Sequence, residues 1–178
     1  MGVPLKDNEI IAYPLHKYLR KFHNPNFTGF KCGNPKYDEY IKNTATNDHE
    51  SNIGKVWIFY HSKDRKIAGY VTLAMSQLHK NEHKKLGDLT SHGYIPGLLL
   101  GQMARDLQYE KRNLGSMMIN WTVSQGVELM ERIGCRLIIL QSEDDKVKFY
   151  ESHDFILIPP SKKKKNMMFY DLNWYQNT

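Results

Sequence analysis

Leu100-Gly-Gln-Met-Ala-Arg-Asp-Leu-Gln-Tyr-Glu-Lys-Arg-Asn-Leu-Gly-Ser116 decides the fold of this chain. It begins inside the apolar run Leu98 to Met103, the pattern of a buried central strand, and ends where the strongest helical periodicity of the sequence opens. A strand that feeds a helix through a polar turn aims several unpaired N–H groups, and about half a positive charge, at whatever lies before the helix. Such a place holds a phosphate without a dedicated side chain. Lys111 and Arg112 add full positive charge there, and Gly115 lets the backbone approach a ligand closely. An ordinary solvated turn carries the same residue types, so the stretch taken alone leaves both readings open.

Working toward the C-terminus, Ile119, Val123, Val127 and Met130 share one face of a helix predicted over Leu114 to Ile133. Gly126 costs that helix about 1 kcal/mol relative to alanine, and Gly134 is its expected C-cap. Arg136 to Gln141 reads as a buried strand. Asp144-Asp145 caps a short helix through Tyr150, and Phe155 to Ile158 and Met167 to Leu172 read as closing strands. The lysine run Lys162 to Lys165 falls in the hairpin loop between them.

Toward the N-terminus, the polar stretch Lys80 to Gly93 reads as a loop or a short helix with weak signals. Val56 to Tyr60 and Ile67 to Leu78 form a hairpin around His61-Ser-Lys-Asp-Arg65. Asn34 is a good N-cap and Pro35 suits the first helical position, which predicts a helix carrying Tyr37, Tyr40, Ile41 and Ala45 on one stripe. Ile10 to Tyr18 reads as a strand that Pro14 confines to a sheet edge. The whole is a mixed α/β pattern, a sheet with helices packed on it, without the regular alternation of a doubly wound fold.

The 178 residues amount to one domain of ordinary size, expected to span 1–178, and 40% hydrophobic residues suffice for a core. No apolar run approaches the roughly 20 residues of a membrane span. The first ten residues carry Asp7 and Glu9 and no apolar h-region, so a signal peptide is excluded and a cytoplasmic protein is expected. Cys32 and Cys135 lie far apart without companions at metal-ligand spacing, so neither a disulfide framework nor a metal site is expected. Lys and Arg number 25 against 19 Asp and Glu, a net charge of +6. That excess serves solubility or a polyanionic partner, either nucleic acid or a phosphorylated cofactor. Eight histidines are scattered, and His153, near Tyr150, is the one placed close to the predicted chemistry; no general base stands out.

Several segments together resemble one family. Glu110-Lys-Arg-Asn113-Leu-Gly115 is similar to the Q/R-x-x-G-x-G/A pyrophosphate motif of the GNAT acetyltransferases. Phe30-Lys-Cys-Gly-Asn-Pro-Lys-Tyr-Asp-Glu-Tyr-Ile41 resembles the F-x-C-G-x-x-x-L-D-x-Y-L segment of the toxin-type branch, and Gly69-Tyr-Val-Thr-Leu-Ala74 its G-Y-Y-T-L-A strand. Ile95-Pro96 with Leu100-Gly-Gln-Met-Ala104 is similar to I-P-x-x-x-L-G-R-L-A, and Phe149-Tyr-Glu-Ser-His-Asp-Phe155 to F-Y-x-x-x-G-F. The resemblance covers about residues 27 to 160. The chain departs from it at Glu110, where Gln or Arg is usual, and at Asn113 and Asp154, where glycine is usual. Asparagine tolerates left-handed backbone angles better than most residues, which suits it to the turn, whereas Glu110 is an awkward neighbour for a pyrophosphate and leaves weakened cofactor affinity open.

The resemblance implies a GNAT fold, with a mixed, mostly antiparallel central sheet flanked by helices. It also implies acetyl-CoA as cofactor and transfer of acetyl to a primary amine, in the toxin branch the α-amine of an aminoacyl-tRNA. By position, Met103, Ala104 and Arg105 hold the pantetheine and polarise the acetyl carbonyl. Glu110, Lys111, Arg112, Asn113, Leu114, Gly115 and Ser116 hold the pyrophosphate, and Tyr150 is the general acid for the leaving thiolate. A phenol with pKa roughly 10 is reliably protonated at neutral pH and suits that task. Lys162, Lys163, Lys164 and Lys165 are candidates for the phosphates of a tRNA. Asp38 reads as structural, a capping or a loop-anchoring carboxylate. A ribbon-helix-helix antitoxin is the family's usual partner, and no membrane is involved. Homodimers are common in the family; Trp121, Trp174 and Tyr175 fit an interface and core packing equally well. Two other functions stay open: acetylation of a protein or small-molecule amine, and a non-catalytic binding module, which Glu110 and Asn113 keep alive.

Overall fold

The computed structural model describes residues 4–159, apart from 24 and 26, and residues 166–176. Seven strands form one sheet in the order β1-β2-β3-β4-β5-β7-β6: β1 (Ile10–Pro14), β2 (Lys55–His61), β3 (Lys66–His79), β4 (Tyr94–Arg105), β5 (Leu137–Gln141), β6 (Ile156–Leu157) and β7 (Met167–Asp171). β4 and β5 are parallel, and β1–β2, β2–β3, β5–β7 and β6–β7 are antiparallel. The mixed, mostly antiparallel sheet matches the expected fold class. No helix among the described residues is long and apolar enough to cross a membrane. The chain separates into two compact units, Met1–Ala74 with Gly101–Met118, and Met75–Leu100 with Ile119–Thr178.

In the first unit, β1 pairs with β2 from Ile10↔His61 to Pro14↔Trp57 and stands at the sheet edge, where a proline is tolerated. The strand ends at Pro14, four residues before the expected boundary, and Leu15–Phe22 is helix α1. Leu15, Tyr18, Leu19 and Phe22 fall at i, i+3, i+4 and i+7, so the apolar residues of this stretch keep helical period. Pro14 precedes the first turn with an extended backbone. The Asn34 side chain accepts from the Lys36 N–H and caps α2 (Pro35–Glu39), as its position predicts. A π-helical turn over Tyr40–Thr44 follows, then α3 (Ala45–Glu50). Leu15, Tyr18, Phe30, Ile41, Ile58 and Tyr70 form the core of this unit.

In the second unit, α4 (Lys84–Gly87) is a short helix within the polar stretch 80–93, the second of the two readings of that stretch. β4 pairs with β5 from Gly97↔Leu137 to Leu100↔Leu140. Helix α5 (Leu114–Met130) stops three residues short of Ile133, and Gly134 is not a left-handed cap. Turns to the Leu129 carbonyl from Arg132 and Ile133, both at 3.0 Å, close it instead. Gly126 has a packing reason, since a Cβ there would stand 2.6 Å from Ile138 Cδ1. The short helix α6 (Val147–Glu151) follows a 3₁₀ turn over Asp144–Lys146 without a side-chain cap, so the expected aspartate cap is not formed; Asp145 pairs with Lys146 at 2.6 Å instead. Leu78, Leu86, Leu137, Ile139 and Phe169 make up this unit's core. α7 (Asn173–Gln176) follows β7. Trp174 packs edge-on against Tyr170, with ring centroids 5.6 Å apart.

Candidate active site

In the first unit β4 ends at Arg105, and Asp106 then fastens the strand's exit from three sides. Its carboxylate accepts from the Lys31 N–H and the Gln108 N–H, both at 2.9 Å, and its own N–H donates to the Ala68 carbonyl at 2.8 Å. At 3% exposure these bonds have little competition from water. Asp106 is thus the N-cap of the 3₁₀ turn Leu107–Tyr109. Sequence reasoning passed over it, although an aspartate accepting from the N–H two residues on is an ordinary turn signal. Leu107 N–H reaches the Lys31 carbonyl at 2.9 Å. The loop before α2 and the loop after β4 therefore hold each other. Asp38 anchors the same neighbourhood by accepting from Cys32 N–H at 2.8 Å, the second of the two roles expected of it.

Tyr109 comes next, 1% exposed, its hydroxyl donating to Asp64 at 2.9 Å. Burial, and then the bond to Asp64, push its phenol far above the ordinary range, so it stays a donor. Its ring lies on His61, with centroids 5.3 Å apart, and the Arg112 guanidinium covers it at 5.4 Å. The following turn is built of backbone. Lys111 and Asn113 both take left-handed angles, with φ of 60° and 64°. The substitution of asparagine for glycine in the motif is accommodated as expected, since asparagine enters that region at small cost. Leu5 N–H donates to the Arg112 carbonyl at 3.1 Å, and the Asn113 carbonyl accepts the first helical bond, from Met117, at 3.2 Å. The turn is thereby held from the chain's N-terminal segment and from the helix. Glu110, Lys111 and Asn113 are exposed, Arg112, Gly115 and Ser116 are half-buried, and Leu114 is buried as the anchor of the helix start. The first N–H groups of α5 lie at this turn, where an anion finds donors and a favourable dipole.

Met103, Ala104 and Arg105 end β4 in the same unit, with Ala104 buried and the other two half-buried. The structure thus brings together, in one unit, every residue read from the sequence as cofactor-binding. Tyr150 belongs to the second unit. It is half-buried on α6, its ring edge-on to Phe149 at 5.2 Å and to Phe155 at 5.8 Å. Asp154, where the motif usually has glycine, takes φ of 64°, which accounts for the usual glycine. The Tyr150 carbonyl accepts from Phe155 N–H at 3.1 Å and His153 N–H at 3.0 Å, closing the turn. His153 Nδ1 donates to the Phe149 carbonyl at 2.8 Å, which commits that nitrogen to holding the helix end. Lys162, Lys163, Lys164 and Lys165 lie outside the described residues.

No family model matches the chain. Over 133 residues, 74% of this chain and 79% of the relative, it is 26% identical to a tRNA-acetylating toxin of Mycobacterium tuberculosis. Among solved structures it is similar to AtaT complexed with acetyl-methionyl-tRNAfMet, at 16% identity and a TM-score of 0.82 over 94% of this chain and 98% of that one. It is also similar to a mutant AtaT toxin bound to the C-terminus of the antitoxin AtaR and acetyl-CoA, at 16% identity and a TM-score of 0.76 over 95% and 97%. The chain has the GNAT fold of these toxins.

Proposed function

We propose that this chain is an acetyl-CoA-dependent N-acetyltransferase whose acceptor is the α-amine of an aminoacyl-tRNA. The observation that carries the reading is the turn from Glu110 to Ser116. A loop with two non-glycine residues in left-handed geometry, fastened by Asp106, Tyr109 and Leu5, leads into a helix N-terminus as a diphosphate requires. The tRNA-acetylating relative and the AtaT complexes with acetylated tRNA and acetyl-CoA support the choice of donor and acceptor.

Acetyl-CoA supplies the acyl group. The chain's own residues bind, orient and move a proton. Backbone groups of Met103, Ala104 and Arg105 would orient the acetyl group and stabilise charge developing on its oxygen. The backbone turn through Glu110, Lys111, Arg112, Asn113, Leu114, Gly115 and Ser116 would hold the pyrophosphate, and the Tyr150 hydroxyl would deliver a proton to the leaving thiolate. Lys162, Lys163, Lys164 and Lys165 would hold phosphates of the tRNA, and an antitoxin of the ribbon-helix-helix class would hold the enzyme in check. The substrate places the protein in the cytoplasm. Radiolabelled acetyl transfer to a panel of aminoacyl-tRNAs and to peptides tests the reading. Label on charged tRNA is expected, and label on peptide alone would replace it with a protein acetyltransferase.

A further inference from the structure

We infer that Gly69, Tyr70 and Thr72 of β3 are positioning residues that aim the acetyl-binding end of β4. The inference rests on the acetyltransferase reading above and gives a role to the motif Gly69-Tyr-Val-Thr-Leu-Ala74, which that reading leaves unused.

The contacts run in order along the two strands. The Ala68 carbonyl takes the Asp106 N–H at 2.8 Å. A Cβ at Gly69 would stand 2.8 Å from the Ala104 carbonyl oxygen and 3.0 Å from Met118 Sδ, so the absence of a side chain there lets β4 approach at the height of Ala104. The Tyr70 hydroxyl donates to the Tyr37 carbonyl at 2.9 Å and faces Gln102 Oε1 at 3.1 Å. Thr72 Oγ1 accepts the Gln102 N–H at 2.7 Å, and a Cβ at Gly101 would stand 2.8 Å from that same oxygen.

Gln102 is therefore gripped by its backbone from Thr72, and its side chain lies beside the Tyr70 hydroxyl that is tied to Tyr37. It immediately precedes Met103, Ala104 and Arg105. Tyr70 and Thr72 are two residues apart on a strand and share a face, so one face of β3 meets both the backbone and the side chain of Gln102. Both side chains are nearly inaccessible to water: Tyr70 is fully buried and Thr72 is 7% exposed. A hydroxyl that holds a strand N–H in place of freely exchanging solvent sets the direction of the peptides that follow. Those are the peptides assigned to orienting the acetyl group.

The test compares Thr72→Val, which keeps the shape and loses the acceptor, with Thr72→Ser, which keeps the acceptor. Thr72→Val is expected to lower kcat for acetyl transfer about tenfold or more, because a small misplacement of the orienting groups is costly. The Kd for desacetyl coenzyme A should change by less than about threefold, since the pyrophosphate turn is untouched. Thr72→Ser should restore kcat to within about threefold of wild type. Amide exchange should show the Gln102 N–H protected in wild type and Thr72→Ser, and exposed in Thr72→Val.

Wild-type kcat in Thr72→Val would overturn the inference, and so would an equal loss in Thr72→Ser, which would make the methyl packing the cause. Should Thr72→Val fail to fold, Gly101→Ala pushes against the same oxygen and must show the same split between kcat and coenzyme affinity; an unchanged kcat there overturns the inference equally. Failure of the underlying reading looks different. A wild-type protein that transfers acetyl to no amine refutes the acetyltransferase, whereas an active wild type with an equally active Thr72→Val refutes only the role of β3.

Discussion

The turn after β4 and the segment around Tyr150 are held over different distances in the chain: the first by partners tens of residues away, the second by its own neighbours. Asp106, Tyr109 and Arg112 are fastened by polar groups: Asp106 accepts from Lys31 and Gln108, Tyr109 donates to Asp64, and the Arg112 carbonyl accepts from Leu5. Tyr150 rides on the five residues of α6, positioned by rings on either side and by a turn closed at its own carbonyl. The difference follows from the tasks proposed for them. A site that binds an anion with backbone N–H groups depends on every peptide orientation, and hydrogen bonds specify orientation. A phenol that gives up a proton needs a firmly placed ring, and the rings of Phe149 and Phe155 supply that.

The sharpest way to break this contrast is Tyr150→Phe. Phenylalanine preserves the ring contacts, so the fold and acetyl-CoA affinity should be unchanged while acetyl transfer falls about 10²-fold or more. Full activity in steady-state assays would assign the proton to another group. Asp106→Ala attacks the polar side. Two partly buried backbone N–H groups lose their acceptor, and stability should drop by about 2 kcal/mol, read from urea denaturation. A loss within about 0.5 kcal/mol would show that packing, and not polar fastening, holds the turn.

Gly115→Val probes the ligand face of the same turn. A side chain where a pyrophosphate approaches should weaken acetyl-CoA binding at least about tenfold by calorimetry, and an equal Kd in the folded variant would remove the turn from the site. The smallest change is expected from replacing Lys162, Lys163, Lys164 and Lys165 together by serine. Affinity for tRNA should weaken about threefold at moderate salt, and the dependence of log affinity on log salt should flatten by up to about 0.9 for each phosphate that the loop no longer neutralises. Acetyl-CoA binding should stay as it was. If the salt slope survives, the run serves solubility.

Much of this architecture is legible locally. The hairpin around His61–Arg65, the Asn34 cap and the strand-turn-helix at Leu100–Ser116 are each signalled within a dozen residues, because periodicity and turn chemistry are near-neighbour effects. The boundary at Pro14 escapes local reading. Ile10–Pro14 and Leu15–Phe22 are both apolar enough for a strand, and only the β1–β2 pairing, with His61 opposite Ile10, settles where one ends and the other begins. Gly126 counts as a cost in the helix pattern and is a fit in the fold, since Ile138 occupies the space a side chain would need.

By itself the sequence determined the order of the strands, the helices α2, α5 and α6 among them, and the place of the turn from Glu110 to Ser116 between β4 and the long helix. Those are properties of residues close in the chain, where spacing alone carries the physics. Only the tertiary structure decided what holds the site in shape. Asp106 meets Lys31 across 75 residues, Tyr109 meets Asp64 across 45 and Gln102 meets Thr72 across 30. Buried polar atoms take whichever partner the fold delivers within about 3 Å, and no periodicity of the chain encodes which partner that will be.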